Sequence, residues 1–229
     1  MKEDKVLEKA IRNLEDVELN AIPVEKCKEW WENKVADGYF TAYSFGLSRG
    51  DMISAENLSK DSFILEIGCG YGRETKPLCE ISDNVYGIDI SDSALELTKK
   101  HVPTVNTKSY DGLNVPFEND MFDFIYSCFV MQHMAKKSVR ILLKDALRTL
   151  KPTGHMLIEF YQCDRNKTDR DWMSGGVEGM YNNSFSLNDI ENIFKEIGGK
   201  IVEINSVNHG CLANEAQPTY NHWVLAGKQ

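Results

Sequence analysis

Residues 64–72 read ILEIGCGYG, an apolar run ending in three glycines at alternate positions. A strand that bends sharply toward a helix needs residues without a Cβ where the backbone turns or nears a ligand. The helix that follows presents unpaired N–H groups at its start. The run therefore predicts strand, turn and helix, with a ligand at the turn. It also opens a longer alternation. Apolar runs at FILEIG (63–68), NVYGID (84–89), VPTVNT (102–107), MFDFIYSCF (121–129), HMLIEFY (155–161), IVEINSV (201–207) and HWVLAGK (222–228) read as strands. Helical patterns lie between most of them, at 73–81, 92–100, 136–150 and 186–197. Strands alternating with helices imply an α/β fold with a mostly parallel sheet and helices on both faces. Ser91 and Ser186 stand where helix N-caps belong. Lys151-Pro152-Thr153-Gly154 and Gly198-Gly199 read as helix stops.

The 229 residues suit one domain over 1–229. Residues 1–60 form its N-terminal helical cap. A helical mixture covers 1–21, a helix spans Lys26–Val35 with Trp30 and Trp31, an aromatic stretch YFTAYSFG follows, and another helix covers about 47–57. Residues 162–185 are polar, glycine-containing and long for a connection, which marks a lid insertion. A hydrophobic content of 42% and charged content of 27% exclude a disordered chain. The net charge of −9 runs against the basic footprint of nucleic-acid binders, so the expected partners include no nucleic acid. No apolar run is long enough to cross a bilayer, so no membrane partner is expected. Six cysteines without a CxxC, behind an N-terminus lacking a signal-peptide pattern, read as reduced thiols in a cytoplasmic protein.

A dinucleotide fingerprint would need glycine at position 73, where Arg73 stands, and no GK[ST] follows to make a triphosphate cradle. Asp89 closes the second strand, 21 positions after Gly68, where an acid accepts hydrogen bonds from ribose hydroxyls. ILEIGCGYG, YGID at 86–89 and FDFIYSCFVMQHM at 122–134 together resemble the class I S-adenosylmethionine-dependent methyltransferases, nearest to their small-molecule branch. The resemblance implies a Rossmann-like seven-stranded sheet with a reversed last hairpin, and S-adenosyl-L-methionine as cofactor. It places Glu66 at the first loop near the methionine amino group. Gly68, Cys69, Gly70 and Gly72 line the backbone approach to the cofactor. It implies Asp89 for the ribose, Ile90 against adenine, and Asp111 with Gly112 and Leu113 at the adenine amine. Ser127 and Cys128 face the methionine part, and Arg73 meets its carboxylate.

Methyl transfer is an in-line displacement in which the protein aligns the nucleophile and takes its proton if that nucleophile is a hydroxyl. His133, His209 and Glu159 are the candidate catalytic residues. Each has a plainer alternative: a packed or capping histidine, or a solvated strand-end acid. Tyr39, Tyr43, Tyr161, Trp172 and Tyr181 are candidate substrate-binding residues, with core packing as the alternative. No tight metal-ligand motif appears, so no metal is expected. The resulting expectation is methylation of a small-molecule substrate, a small polar acceptor, by O-methylation of a carbohydrate or related metabolite, in a monomer or homodimer. An N-methyltransferase, a protein methyltransferase and a non-catalytic cofactor binder are the alternatives.

Overall fold

The structure is a computed structural model of the chain and describes residues 24–38, 46, 48–54, 56–163, 184–208 and 219–229. In chain order the helices are α1 (Val24–Ala36), α2 (Gly50–Ser54), α3 (Thr75–Ile81), α4 (Asp92–His101), α5 (Lys136–Thr149) and α6 (Leu187–Ile197). The strands are β1 (Phe63–Ile67), β2 (Asn84–Asp89), β3 (Asn106–Ser109), β4 (Phe122–Ser127), β5 (Leu150–Cys163), β6 (Gly199–Asn208) and β7 (Thr219–Lys228). They form one seven-stranded sheet in the order β3-β2-β1-β4-β5-β7-β6. Pairings from β3 to β5 are parallel, and β7 runs antiparallel between β5 and β6. The expected α/β fold with its reversed last hairpin is the one observed.

The central strands are apolar on both sides because helices cover both faces. Side chains alternate across the sheet. Leu65, Ile67, Ile125, Ile158 and Phe160 pack with Leu142, Leu143, Ile190 and Phe194 of α5 and α6. Ile64, Phe124, Tyr126, Leu157 and Trp223 meet Met52 and Ile53 of α2 and Leu78 of α3 on the other side. Ser91 caps α4 by accepting from the Ala94 amide. Ser186 and Asp189 form a reciprocal capping box on α6, which Gly198 ends at φ +77°.

Three local expectations shift. The third strand is Asn106–Ser109, not 102–107, because Val102 caps α4 and Pro103 interrupts the run. The helix expected over 47–57 is confined to Gly50–Ser54 among the described residues. Lys151-Pro152-Thr153-Gly154 belongs to β5, where it forms an irregularity: Phe122 pairs with Leu150, but Phe124 pairs with His155. The backbone there approaches so closely that a Cβ on Gly154 would lie 2.8 Å from the Asp123 carbonyl oxygen.

The sheet order reverses between β1 and β4. In open α/β sheets this is where loops leave in opposite directions and open a crevice at the carboxyl ends of the strands.

Candidate functional site

The loop after β1 is built on backbone that only glycine adopts readily. Gly68, Gly70 and Gly72 have φ of +76°, +55° and +89°. The Gly68 and Cys69 amides donate to the Ile88 carbonyl at 2.8 and 3.1 Å, which ties the loop to the end of β2. The Asp89 carboxylate completes the tie. One oxygen accepts from the Gly70 amide and the other from the Ser91 amide, each at 3.0 Å. Burial pushes the Asp89 carboxyl up, and these backbone bonds offset only part of that rise. Thr98 of α4 donates to the Gly70 carbonyl at 2.7 Å. Cys69 is buried beneath the loop, where desolvation raises its thiol far above the ordinary range. Ile90 follows Asp89, half-buried.

A Cβ on Gly68 would lie 2.2 Å from Cγ2 of Val130, so the loops after β1 and β4 meet across the crevice. Beyond β3, the exposed Asp111 accepts from the Leu113 amide at 2.9 Å and from the Asn114 amide at 2.7 Å. Desolvation pushes its carboxyl up, but the bonds from Asn114 and Leu113 outweigh it and hold the group low. Gly112 turns this loop at φ +82°. At the end of β4, the buried Ser127 hydroxyl donates to the Ile67 carbonyl at 3.0 Å.

Register places Glu66 opposite Tyr126, and Tyr126 opposite Leu157. Alternation then puts Glu159 and Tyr161 on that same face of β5. A buried polar wall results. Glu66 accepts from the Thr75 hydroxyl, and burial lifts its carboxyl to about 8. Arg73 is ion-paired with Glu74, lies 5.0 Å from the Phe129 ring centroid and donates to Cys128 Sγ at 3.5 Å. Glu74 also accepts from the Ser48 amide at 2.8 Å and the Ser48 hydroxyl at 2.9 Å. Phe129 holds φ at +58°, strained for a bulky residue. Its amide donates to Glu159 Oε2 at 2.6 Å. Glu159 is fully buried, and its Oε1 has no hydrogen-bond partner among the described residues. Desolvation raises its carboxyl to about 7.

His133 sits in a short 3-10 turn, Met131–His133, with its ring edge-on to Trp31 of α1 at 5.3 Å. One residue on, Glu32 accepts from the Asp92 amide at 2.7 Å, at the start of α4. Helix α1 thus touches both the β2 side and the β4 side of the crevice. His209, Tyr39, Tyr43, Trp172 and Tyr181 lie outside the described residues, as does most of the expected 162–185 lid. Ser48, Glu74, Phe129, Trp31 and Glu32 join the site without having been singled out for it. Only the position of Glu74 next to Arg73 and the paired tryptophans offered a signal. Among the described residues, no group of three or more His, Cys, Asp or Glu side chains is placed to hold a metal ion.

A methyltransferase domain family matches residues 64–154. The tRNA N(3)-methylcytidine methyltransferase trm141 of Schizosaccharomyces pombe is 27% identical over 63% of this chain and 67% of its own length. A ubiquinone biosynthesis O-methyltransferase of Pelagibacter ubique is 28% identical over 71% of this chain and 72% of that protein. The O-methyltransferase cnsE of Penicillium expansum is 26% identical over 63% of this chain, which spans about half the length of that relative, 54%. The fold is shared with a SAM-dependent methyltransferase from Anabaena variabilis at TM-score 0.66 and 16% identity, covering 90% of this chain and 95% of that one.

These relatives overturn one expectation. Besides trm141, three further relatives are named as tRNA methyltransferases, so nucleic acid is not excluded as a partner of such a chain. The exclusion rested on net charge, and a total says nothing of where charge lies on a surface. No helix among the described residues is long and apolar enough to cross a membrane. A sheet reversed at β7 and a glycine loop closed by Asp89 give the chain the class I S-adenosylmethionine-dependent methyltransferase fold, and residues 64–154 are similar to a methyltransferase domain family.

Proposed function

We propose that the protein methylates a hydroxyl of a small polar acceptor, a carbohydrate or related metabolite, and that Glu159 takes the hydroxyl proton. The observation that carries this reading is the buried Glu159 carboxyl in the carboxyl half of β5, whose Oε1 has no hydrogen-bond partner among the described residues. A buried carboxylate oxygen without a donor is costly, and an acceptor hydroxyl supplies that donor. Its position near 7 suits a general base at neutral pH.

S-adenosylmethionine, when bound, supplies the electrophilic methyl group. The residues present fit it. A carboxylate offers about four lone-pair sites, so Asp89, after accepting from Gly70 and Ser91, retains capacity for ribose hydroxyls. Gly68 leaves open the space that a Cβ would fill against Val130. Ile90 would pack on adenine, and Asp111 with Gly112 and Leu113 would meet its amine. Ser127 and Cys128 would border the methionine part. Glu66, bonded to Thr75, holds the loop from beneath. His133 and Tyr161 would wall the acceptor side, with Tyr39, Tyr43, Trp172, Tyr181 and His209 as further candidates.

The names of the ubiquinone biosynthesis enzyme and cnsE support oxygen as the accepting atom. A second reading, a tRNA nucleoside as acceptor, is favoured by trm141 and the other tRNA-modifying relatives. Transfer of labelled methyl from S-adenosylmethionine to a pool of hydroxylated metabolites, run beside transfer to total tRNA, tests the two. Label in the metabolite pool alone supports the first reading, and label in tRNA alone replaces it. With the identified acceptor, Glu159→Gln should lower kcat by about 10²–10⁴. The wild-type kcat/KM for S-adenosylmethionine, which reports the ligand-free protein, should rise with pH through about 7, as the base loses its proton.

A further inference from the structure

Among the described residues, the polar wall at the carboxyl ends of β1, β4 and β5 holds three carboxyl groups against one cation. It contains Glu66, Glu74 and Glu159, exposed by 3%, 4% and 0%, and Arg73. Arg73 is ion-paired with Glu74, which Ser48 also engages, and its charge reaches Glu159 only against the opposing charge of Glu74. Glu66 is bonded to the Thr75 hydroxyl and, lifted to about 8 by burial, keeps its proton at neutrality. Glu159 is left, among the described residues, with one backbone amide on Oε2 and no hydrogen-bond partner on Oε1. A buried carboxylate in that state favours any cation that enters beside it.

Resting on the methyltransferase reading above, we propose that Glu159 is the counter-ion of the cofactor's sulfonium, and that the crevice holds S-adenosylmethionine in preference to its neutral-sulfur product, S-adenosylhomocysteine. The two ligands share the adenosine and amino-acid parts and differ in the methyl group and the charge it places on sulfur. Glu159, which titrates near 7 without a ligand, should lose its proton when the cation arrives. On transfer, the methyl–sulfur bond breaks with its electron pair left on sulfur, the acceptor oxygen gains the methyl, and the O–H proton passes to Glu159. The carboxylate thus regains proton affinity at the step that releases a proton, and the product leaves a site that no longer attracts it.

Titration calorimetry on the full chain at pH 7 tests this with three ligands: S-adenosylmethionine, S-adenosylhomocysteine, and sinefungin, which carries an amine in place of the sulfonium. Two buffers of different ionisation enthalpy count protons. S-adenosylmethionine and sinefungin should bind about tenfold tighter than the homocysteine product. Each should release roughly half a proton, since a group titrating near the working pH is half protonated. The homocysteine product should release none. In Glu159→Gln, the three affinities should converge to within about twofold, with that of the product little changed. Equal affinities in the wild type, or no proton release with S-adenosylmethionine, would overturn the proposal. So would a Gln variant that weakens all three ligands alike, which would assign Glu159 to the shared α-ammonium. A thermal melt establishes that the variant is folded, and the wild-type affinity ratio and proton count decide the matter if it is not. Failure of all three ligands to bind the wild type would instead sink the methyltransferase reading.

Discussion

Gly68 has no room for a side chain. A methyl there meets Val130 at 2.2 Å, and φ of +76° disfavours any L-residue. Gly68→Ala should therefore cost about 1–3 kcal/mol of stability and abolish measurable S-adenosylhomocysteine binding, read by urea unfolding and calorimetry. The buried glutamates set a different dependence. Glu66 and Glu159 sit at about 8 and about 7, above the ordinary 4.5. Their raised values mean that the folded chain binds more protons than the unfolded one between those limits. Stability from these groups is full below pH ~4.5 and is lost as pH rises through 7 and 8. The urea midpoint should fall over that window, and Glu66→Gln should flatten the fall. The acids at 66, 89, 111 and 159 were all legible as residue types at strand ends. Which oxygen Asp89 and Glu159 would commit was not, because the Gly70 and Phe129 amides that bond them belong to loops after other strands.

Helix α1 docks on the crevice through contacts made by Lys28, Trp31 and Glu32. Glu32 accepts from the Asp92 amide, Lys28 pairs with Asp92 at 2.6 Å and Trp31 meets His133. The Glu32 carboxylate lies at the positive end of α4, a favourable place for an anion. Glu32→Ala should cost about 1 kcal/mol and should speed amide exchange in residues 24–36 while leaving β1 and β4 protected. Hydrogen-exchange mass spectrometry reads both. The strands and helices were legible from alternation and from stop signals such as Gly198 because those are local signals. Contacts such as Glu32 to Asp92 and Ser48 to Glu74 join residues far apart in sequence, so no periodicity announces them. VPTVNT misled for a related reason: Val102 and Val105 are buried, but in a turn that ends α4.

At the scale of the molecule, the total charge of −9 conceals its own arrangement. Helix α5 carries Lys136, Lys137, Arg140, Lys144 and Arg148, and α6 answers with Asp189 on Lys136 at 3.1 Å and Glu196 on Arg140 at 2.7 Å. A sum over such pairs cannot forecast an acceptor. Binding, however, acts on the whole domain. S-adenosylhomocysteine at 100 times its Kd should raise the unfolding free energy by ~2.7 kcal/mol. Asp89→Ala should lose most of that gain at the same ligand concentration, as denaturant curves with and without ligand would show. One feature of the sheet bears on how the chain is made. Strand β7 lies inside the sheet between β5 and β6, yet it follows both in sequence. While a ribosome is still extending the chain past 208, β5 and β6 have no strand to join them, and each presents an open edge. The strand bearing Glu159 therefore gains its second neighbour only after 219–228 has left the exit tunnel. During synthesis, a nascent chain at that stage is the form most in need of a chaperone.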